Sequence, residues 1–217
     1  MEMYSKTDEF LKKLKRLIRS EFNRIGTMPF DKINARAAKK ETSELYKRLK
    51  NYNMLNYLEI ARAGRKYANA ALPDDKKVKD KDMGVLVASV LGAYNFVTGY
   101  LYESETERKR ARQAEEMMTA KEADSRQKLR SAMDRCAALW YMQSSQYAID
   151  IEDEAVVDAW LEAGIEKVEW VAEDDSRTCK VCRERNGKIY RLSELPPKPH
   201  YNCRCTYKIV REDAKTQ

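Results

Sequence analysis

Residues 179–205 read CKVCRERNGKIYRLSELPPKPHYNCRC and hold four of the five cysteines and the one histidine of the chain. The spacing is Cys-x2-Cys, then seventeen residues, then His-x2-Cys-x-Cys. A Cys-x2-Cys turn places two thiolates on one side of a tetrahedral ion, and a second pair from a distant loop completes the shell. The stretch therefore predicts a metal site with five candidate ligands, Cys179, Cys182, His200, Cys203 and Cys205.

Zinc suits thiolate and imidazole ligands, and four protein ligands leave no position open for catalysis. Five candidates compete for four places. We expect Cys179, Cys182 and His200 to bind together with Cys203 or Cys205, and Cys203 is favoured if Cys205 begins the last strand and points away. The predicted role is structural, because a unit of about forty-five residues buries too little apolar surface to fold alone. A disulfide from Cys179 to a later thiol, or free cysteines, are the alternatives.

The single histidine limits the catalytic mechanisms open to the chain. A Cys–His or Ser–His–Asp mechanism has to use His200, and a histidine among four thiols is better explained as a ligand than as a base. No Gly-rich phosphate loop, HExxH or EF-hand pattern occurs. The acidic residues Glu103, Glu105 and Glu107 are typical of a solvated helix face. We therefore predict no catalytic residues and no enzymatic activity.

A small β-rich unit is predicted around the cysteines. Apolar and charged residues alternate over 168–172, Asn186-Gly187 is a turn pattern, and 206–210 is rich in β-formers. Just before this unit, Glu152 to Ala163 is predicted to form a short amphipathic helix that ends at Gly164.

The first 150 residues are predicted to be helical. Apolar residues at helical spacing over 10–25 give way to Gly26 and Pro29. Further helices are predicted from Asp31, as the N-cap, to Lys50, then over 54–67 and 103–147. The lone Cys136 is predicted to be a small buried apolar residue. The predicted fold is mainly α with a small C-terminal α+β zinc-knuckle-like module, divided into a helical body (1–150) and a metal-binding module (151–217).

The segment from Met83 to Tyr102 contains no charged residue. Its length would allow a membrane span, but its serine, asparagine, threonine, glycine and tyrosine residues lower its hydrophobicity. We therefore expect no membrane span. The segment is predicted to be a central helix buried all round, or a surface that packs on a partner.

Charge is distributed unevenly along the chain. Residues 1–72 carry 17 Lys and Arg against 8 Asp and Glu (+9), residues 73–173 carry 14 against 21 (−7), and residues 174–217 carry 11 against 6 (+5). Either basic end could meet a nucleic acid or an acidic protein surface. The alternative is that these residues only solvate helix faces.

The residues between the candidate ligands carry a resemblance. Asp175-Ser176-Arg177-Thr178 precedes the first cysteine, Asn186-Gly187-Lys188 is followed by Tyr190, and Pro196-Pro197 leads to Pro199-His200 and the ending Asn202-Cys203-Arg204-Cys205. This order resembles the C-terminal signature of the minor head, or head morphogenesis, proteins of tailed bacteriophages, the Mu F-like group. That group often has proline where this chain has Tyr201.

The resemblance implies a minor capsid protein, without enzymatic activity, that acts in head assembly and in DNA packaging or delivery. Its implied partners are the portal protein and other capsid proteins, and its implied location is the virion, with the host cytoplasm during assembly. A basic part formed by residues 1–72 would suit packaged double-stranded DNA. Two hypotheses from other classes remain, a small zinc-supported nuclease or toxin and a zinc-knuckle nucleic-acid-binding protein without a virion role.

Overall fold

A computed structural model describes residues 2–98, 102–122, 125–173, 176 and 178–210, with the side chains of 94–98, 102–106 and 122 left out. Asp175 and Arg177 of the signature lie outside the described residues. So do the side chains of Glu103 and Glu105 and part of the uncharged segment 83–102.

Helices make up most of the described chain, and the strands lie in its C-terminal part. The helices are α1 (Ser5–Gly26), α2 (Ala35–Ala71), α3 (Gly84–Thr98), α4 (Tyr102–Glu122), α5 (Arg126–Glu162) and α6 (Lys180–Arg185). The strands are β1 (Lys167–Val171), β2 (Ile189–Arg191) and β3 (Thr206–Ile209), and they form one antiparallel sheet with β1 in the centre. A mainly helical fold with a small C-terminal sheet is thereby confirmed.

Two predicted helices, Asp31 to Lys50 and 54–67, form one continuous helix, α2. It begins at Ala35, and the Asn34 side chain caps it by accepting a hydrogen bond from the Ala37 amide at 2.9 Å. Asp31 as the N-cap was wrong. The expected interruption near residue 53 does not occur because the Asn53 side chain is buried and donates a hydrogen bond to Ser144 Oγ at 2.9 Å.

The short helix predicted from Glu152 is the end of the long helix α5. The predicted helix 103–147 corresponds to two helices, since α4 ends at Glu122 and α5 begins at Arg126 with the Ser125 side chain as its cap. A separate helix beginning at Glu152 was wrong. The division between residues 150 and 151 stays a prediction, and α5 runs across it.

Helix α5 is the central element of the fold and packs against α1, α2, α3 and α4. The apolar stripe of α1 is buried against it, from Phe10 to Ile25. Cys136 lies buried in the same core, which confirms its predicted burial, and its sulfur also donates to Glu116 Oε2 at 3.3 Å. This core places the C-terminal half of α5 next to the sheet.

A second core joins the sheet to both ends of the helical part. Trp160 of α5 and Trp170 of β1 are fully buried in it, together with Tyr4 from the chain's first turn. The Trp170 ring meets the Tyr207 ring edge-on at a centroid distance of 5.4 Å. The cysteine-bearing module therefore shares its core with the N-terminal residues.

Helix α3 differs from the expectation of a helix buried all round. Met83, just before the helix, and Val87 and Leu91 are buried, but Val85 is 80% exposed. The uncharged helix therefore has one buried side, with Val87 and Leu91, and one exposed side, with Val85. Within the described part of the chain, no helix combines the length and apolar character that a bilayer crossing needs.

Gly64 lies where α2 crosses α5, and Gly64→Ala is expected to destabilise the protein by about 1–3 kcal/mol. An added Cβ would lie 2.7 Å from the Glu152 carbonyl oxygen and 3.1 Å from the Ala155 Cβ. Since the nearest atom belongs to the backbone, the two helices would have to separate. Urea unfolding followed by circular dichroism measures the change.

Gly92→Ala is the matched control, because Gly92 also lies inside a helix and an added Cβ meets no atom of the described residues within 4 Å. This variant should be neutral or stabilised by up to about 1 kcal/mol through helix propensity. Equal destabilisation of both variants would contradict the assigned close approach of α2 and α5.

Candidate metal centre

The five predicted ligands reach one place from three short segments. Cys179 is the N-cap of α6, and its sulfur accepts a hydrogen bond from the Cys182 amide at 3.4 Å. His200 lies in the loop before β3, and Cys203 and Cys205 directly precede that strand. All five cysteines lie within the described residues, and none forms a disulfide.

Cys182 stands at the centre of the cluster. Its sulfur lies 3.6 Å from His200 Nε2 and 3.6 Å from Cys203 Sγ. Zn–S bonds of about 2.3 Å and Zn–N bonds of about 2.0–2.1 Å put the ligand atoms of a tetrahedral ion about 3.8 Å (S to S) or about 3.6 Å (S to N) apart. The Cys182–His200 and Cys182–Cys203 separations are close to these edges, so these two pairs are spaced as zinc ligands. The five ligand atoms gather in two triples that share Cys182, and an ion with four ligands would draw the two triples together.

The His200 ring is oriented for binding through one nitrogen. Its Nδ1 lies 3.0 Å from the Tyr201 carbonyl oxygen, a hydrogen-bond acceptor. An Nδ1–H that donates to this carbonyl leaves Nε2 with a free lone pair facing Cys182. Such a second hydrogen bond is typical of metal-ligating histidines.

The fourth ligand stays open between Cys203 and Cys205. The ligand atoms form two overlapping triples within 4.8 Å, one of Cys179, Cys182 and His200 and one of Cys182, Cys203 and Cys205. Cys205 precedes β3 and is buried beside Cys182, so the condition that would have turned it away is not met. In an extended segment, residues two apart face the same side, which explains why both thiols reach the cluster.

The four thiols differ in how readily they ionise. Hydrogen bonds from the Cys203 and Cys182 side chains lower the pKa of Cys205 to about 5. The pKa of Cys203 is raised by its hydrogen bond to Cys205 and by burial, and burial raises the pKa of Cys182 to about 12. The hydrogen bond from the Cys182 amide lowers the pKa of Cys179. The thiols of the cluster thus share protons through hydrogen bonds, and a bound divalent cation would displace these protons.

Residues of the Asn-Cys-Arg-Cys ending that are not ligands attach the cluster to the helices. Asn202 adopts a left-handed backbone with φ of 56°. Its side-chain oxygen accepts from Ser145 Oγ at 2.7 Å, and its amide donates to Gln146 Oε1 at 2.6 Å. Arg204 donates to both carboxylate oxygens of Asp8 at 2.9 and 3.0 Å. The ending therefore alternates ligands with contacts to α5 and α1.

A buried ionic network lies beneath the cluster. Lys198 Nζ lies 2.8 Å from Asp153 Oδ2, and the two side chains are only 8% and 11% exposed. Lys198 also donates to the Cys205 carbonyl at 2.5 Å and to the Tyr4 hydroxyl, which in turn donates to Asp153. The Tyr4 amide donates to Glu152 Oε1 at 2.9 Å. Sequence reasoning missed this network, since its members are scattered along the chain and no local pattern marks them.

An open cavity of about 490 Å³ lies beside the cluster and gives an ion a path to the thiols. Its lining includes Asp8 and Glu173 as well as Cys182 and His200. The cysteine–histidine cluster could therefore hold a metal ion that arrives from solvent.

Fold and cluster together define a class of protein, a mainly helical chain whose small C-terminal sheet carries a cysteine-rich site able to hold a metal ion. The chain belongs to the phage Mu protein F like family, whose model matches residues 100–208. The match covers α4, α5, the sheet and all five candidate ligands. Neither the comparison with curated proteins nor that with solved structures finds a match for the chain.

Family membership confirms the predicted resemblance and extends it. The signature seen in the sequence begins at Val171, whereas the match begins about seventy residues earlier. It suggests a role in phage head morphogenesis, a place among the components of the virion and contact with other capsid components. It also suggests a structural rather than an enzymatic role.

Proposed function

We propose that the chain is a minor capsid protein that acts at the portal and inner head, in head assembly and in DNA packaging or delivery. The family match over residues 100–208 carries this proposal. Its partners would be the portal protein and other capsid proteins, and it would pass through the host cytoplasm before entering the head. The buried network around Lys198 and Tyr4, together with the exposed Arg204–Asp8 pair, supports it, because these contacts tie the N-terminal residues to the C-terminal module as one end for docking.

The proposed metal is a structural zinc ion. Cys179, Cys182 and His200 would hold it together with Cys203 or Cys205. The tetrahedral edge lengths and the His200 orientation support this choice, and zinc bound by four protein ligands has no open position for substrate. We therefore propose no catalytic step, and no enzymatic activity, at this site. The ion would join α6 to the loop before β3 and so fix the module's shape.

Purified heads test the proposed function. We expect the chain to be present in heads at a low, fixed ratio to the major capsid protein, as measured by quantitative mass spectrometry. Deletion of its gene should give heads that fail to assemble or to package or deliver DNA. A chain absent from purified heads and found only in the soluble lysate would overturn the proposal and favour a regulator without a virion role.

DNA contact is proposed for the exposed face of α1, within the basic residues 1–72. Lys12, Lys15, Arg16 and Arg19 are exposed on this face. None of the four forms an ion pair with another described residue. They span about 10 Å along the helix, since each residue adds 1.5 Å. An unneutralised row of this kind is what phosphate binding requires.

Replacing Lys12, Lys15 and Arg19 together by glutamine is expected to weaken binding to a short duplex. Each lost phosphate contact lowers the slope of log K against log salt by about 0.9, so the slope should fall by about three. Fluorescence anisotropy across a salt series measures this. The control replaces Lys128, Arg130 and Arg135 of α5, an equal charge change on another exposed surface. Equal losses for both triples would show that only net charge matters and would contradict the assigned face.

A further inference from the structure

The exposed side of α3 is an unexplained feature of the fold. The helix contains no charged residue, and a helix that is apolar all round is normally covered on every side. Yet Val85, Ala88 and Ser89 are exposed, while Val87 and Leu91 on the other side are buried. The exposed side of α3 therefore lacks charged residues, as is typical of a surface that another element or a partner covers.

This open side forms one wall of a groove of about 940 Å³. The floor is a stripe of α5 that includes Glu154, Val157 and Leu161, and the other wall is the segment 192–198 with its two prolines. Leu161 is 49% exposed. The α5 stripe runs from Gln146 to Leu161, about 22 Å or four helical turns. The groove thus matches the length of a short helix.

The acidic residues of the floor are not equally neutralised. Asp153 is paired with Lys198 at 2.8 Å and Asp158 with Lys81 at 2.7 Å. Glu154 forms no hydrogen bond or ion pair with any described residue. The Glu154 side chain is exposed toward the open groove, and partial desolvation by the groove, followed by the neighbouring carboxylates, raises its pKa. A cation placed opposite Glu154 would remove this penalty.

We propose that the groove between α3, α5 and residues 192–198 docks a short amphipathic helix of another virion protein, whose apolar side covers Val85 and Leu161 and whose Lys or Arg pairs with Glu154. Apolar side chains of the walls supply the buried area, and the Glu154 carboxylate, which no described residue pairs, supplies orientation and charge selection. The inference rests on the proposed function, because it takes the partner from among the proteins of the head.

Site-specific crosslinking in assembled heads tests the groove. A photo-reactive amino acid replaces Val85 in the full chain, and a matched variant carries it at Leu55, an exposed apolar residue of α2 outside the groove. We expect Val85 to crosslink to one other virion protein, at a segment with apolar residues and a Lys or Arg. Leu55 should not give that product. Glu154→Lys should lower the crosslink yield at least about tenfold, because it sets like charges opposite each other.

Asp134→Lys is the control for Glu154→Lys, since Asp134 is an exposed acidic residue of the same helix, remote from the groove. It should leave the yield unchanged. With the chain present in heads, four results would each overturn the groove proposal. They are no crosslink at Val85, a crosslink to a second copy, a partner segment without a basic residue, or an equal effect of both lysine variants. Absence of the chain from heads would instead overturn the proposed function.

Discussion

Cys182→Ser is expected to abolish stoichiometric zinc binding and to lower the free energy of unfolding of the zinc-loaded protein by at least about 3 kcal/mol. Cys182 belongs to both ligand triples, and its sulfur lies 3.6 Å from both His200 Nε2 and Cys203 Sγ. Of the five candidates, a set of four without Cys182 would have to consist of Cys179, His200, Cys203 and Cys205. That set would give up the Cys-x2-Cys pair of α6. Metal content by inductively coupled plasma spectrometry and thermal unfolding with and without a chelator measure the two effects.

Cys136→Ser is the matched control, because Cys136 is also a buried cysteine but lies in the helical core away from the cluster. Its serine variant should keep one zinc ion per chain even if burial of the hydroxyl lowers stability. Zinc content therefore separates the two variants where stability alone would not. A reduced wild-type protein that binds no zinc, or a Cys182→Ser variant that keeps it, would contradict the metal site.

The same measurement resolves the fourth ligand. Cys203→Ser and Cys205→Ser are identical chemical changes two residues apart, and both thiols are buried beside Cys182. Only the variant that removes a true ligand should lose zinc affinity, by about 10-fold or more. The other should retain the ion, since its thiol would act through hydrogen bonds alone.

Sequence spacing predicted that these five side chains would come together, and the structure brings them into two triples that share Cys182. Their role as metal ligands stays a prediction. Cys179 and Cys182 are bound to meet, since a cap and the first turn of one helix hold them. The choice between Cys203 and Cys205 could not be predicted, because an extended segment turns both to the same side. The path of the chain around Asn202, which contacts with α5 fix, positions the Cys203 and Cys205 sulfurs relative to Cys182.

The helix boundaries failed where polar residues are buried. The predicted break between residues 50 and 54 and the predicted helix start at Glu152 both fall inside long helices, where Asn53 and Glu152 are buried. Asn53 bonds Ser144, and Glu152 accepts from Tyr4 and Thr7. These partners are remote in sequence, and a helical periodicity carries no information about them. The exposed side of α3 could not be predicted either. Composition shows that a helix is apolar, but it does not show which of its sides another part of the molecule covers.

Lys198→Met is expected to destabilise the protein by about 3–5 kcal/mol, because it leaves the Asp153 carboxylate buried without its cation. The ammonium and carboxylate groups lie 2.8 Å apart, and both side chains are nearly inaccessible. The ammonium also donates to the Cys205 carbonyl, within the cysteine–histidine cluster. Zinc-loaded protein, unfolded in urea, gives the free energy.

The pH dependence of this loss has a defined sign. Burial raises the pKa of Asp153, and Lys198 partly offsets that rise. Without Lys198 the pKa rises further, so the folded variant binds a proton more tightly than the unfolded chain. The cost of the charge is absent at low pH and grows as pH rises through the folded pKa. The difference in unfolding free energy between wild type and Lys198→Met should therefore increase as pH rises above the unfolded carboxyl's pKa of about 4, and level off above the folded pKa of the variant.

Two further variants separate this account from general disruption. Asp153→Asn added to Lys198→Met removes the stranded charge and should recover at least about 2 kcal/mol while abolishing the pH dependence. Lys81→Met breaks the pair between Lys81 and Asp158. Because the Lys81 side chain is 42% exposed, this change should cost at most about 1 kcal/mol. If the double variant is no more stable than Lys198→Met, the lysine acts by packing around the Cys205 carbonyl and not by neutralising Asp153. The burial of the pair, rather than its mere presence, is what makes the N-terminal residues and the cysteine module depend on each other.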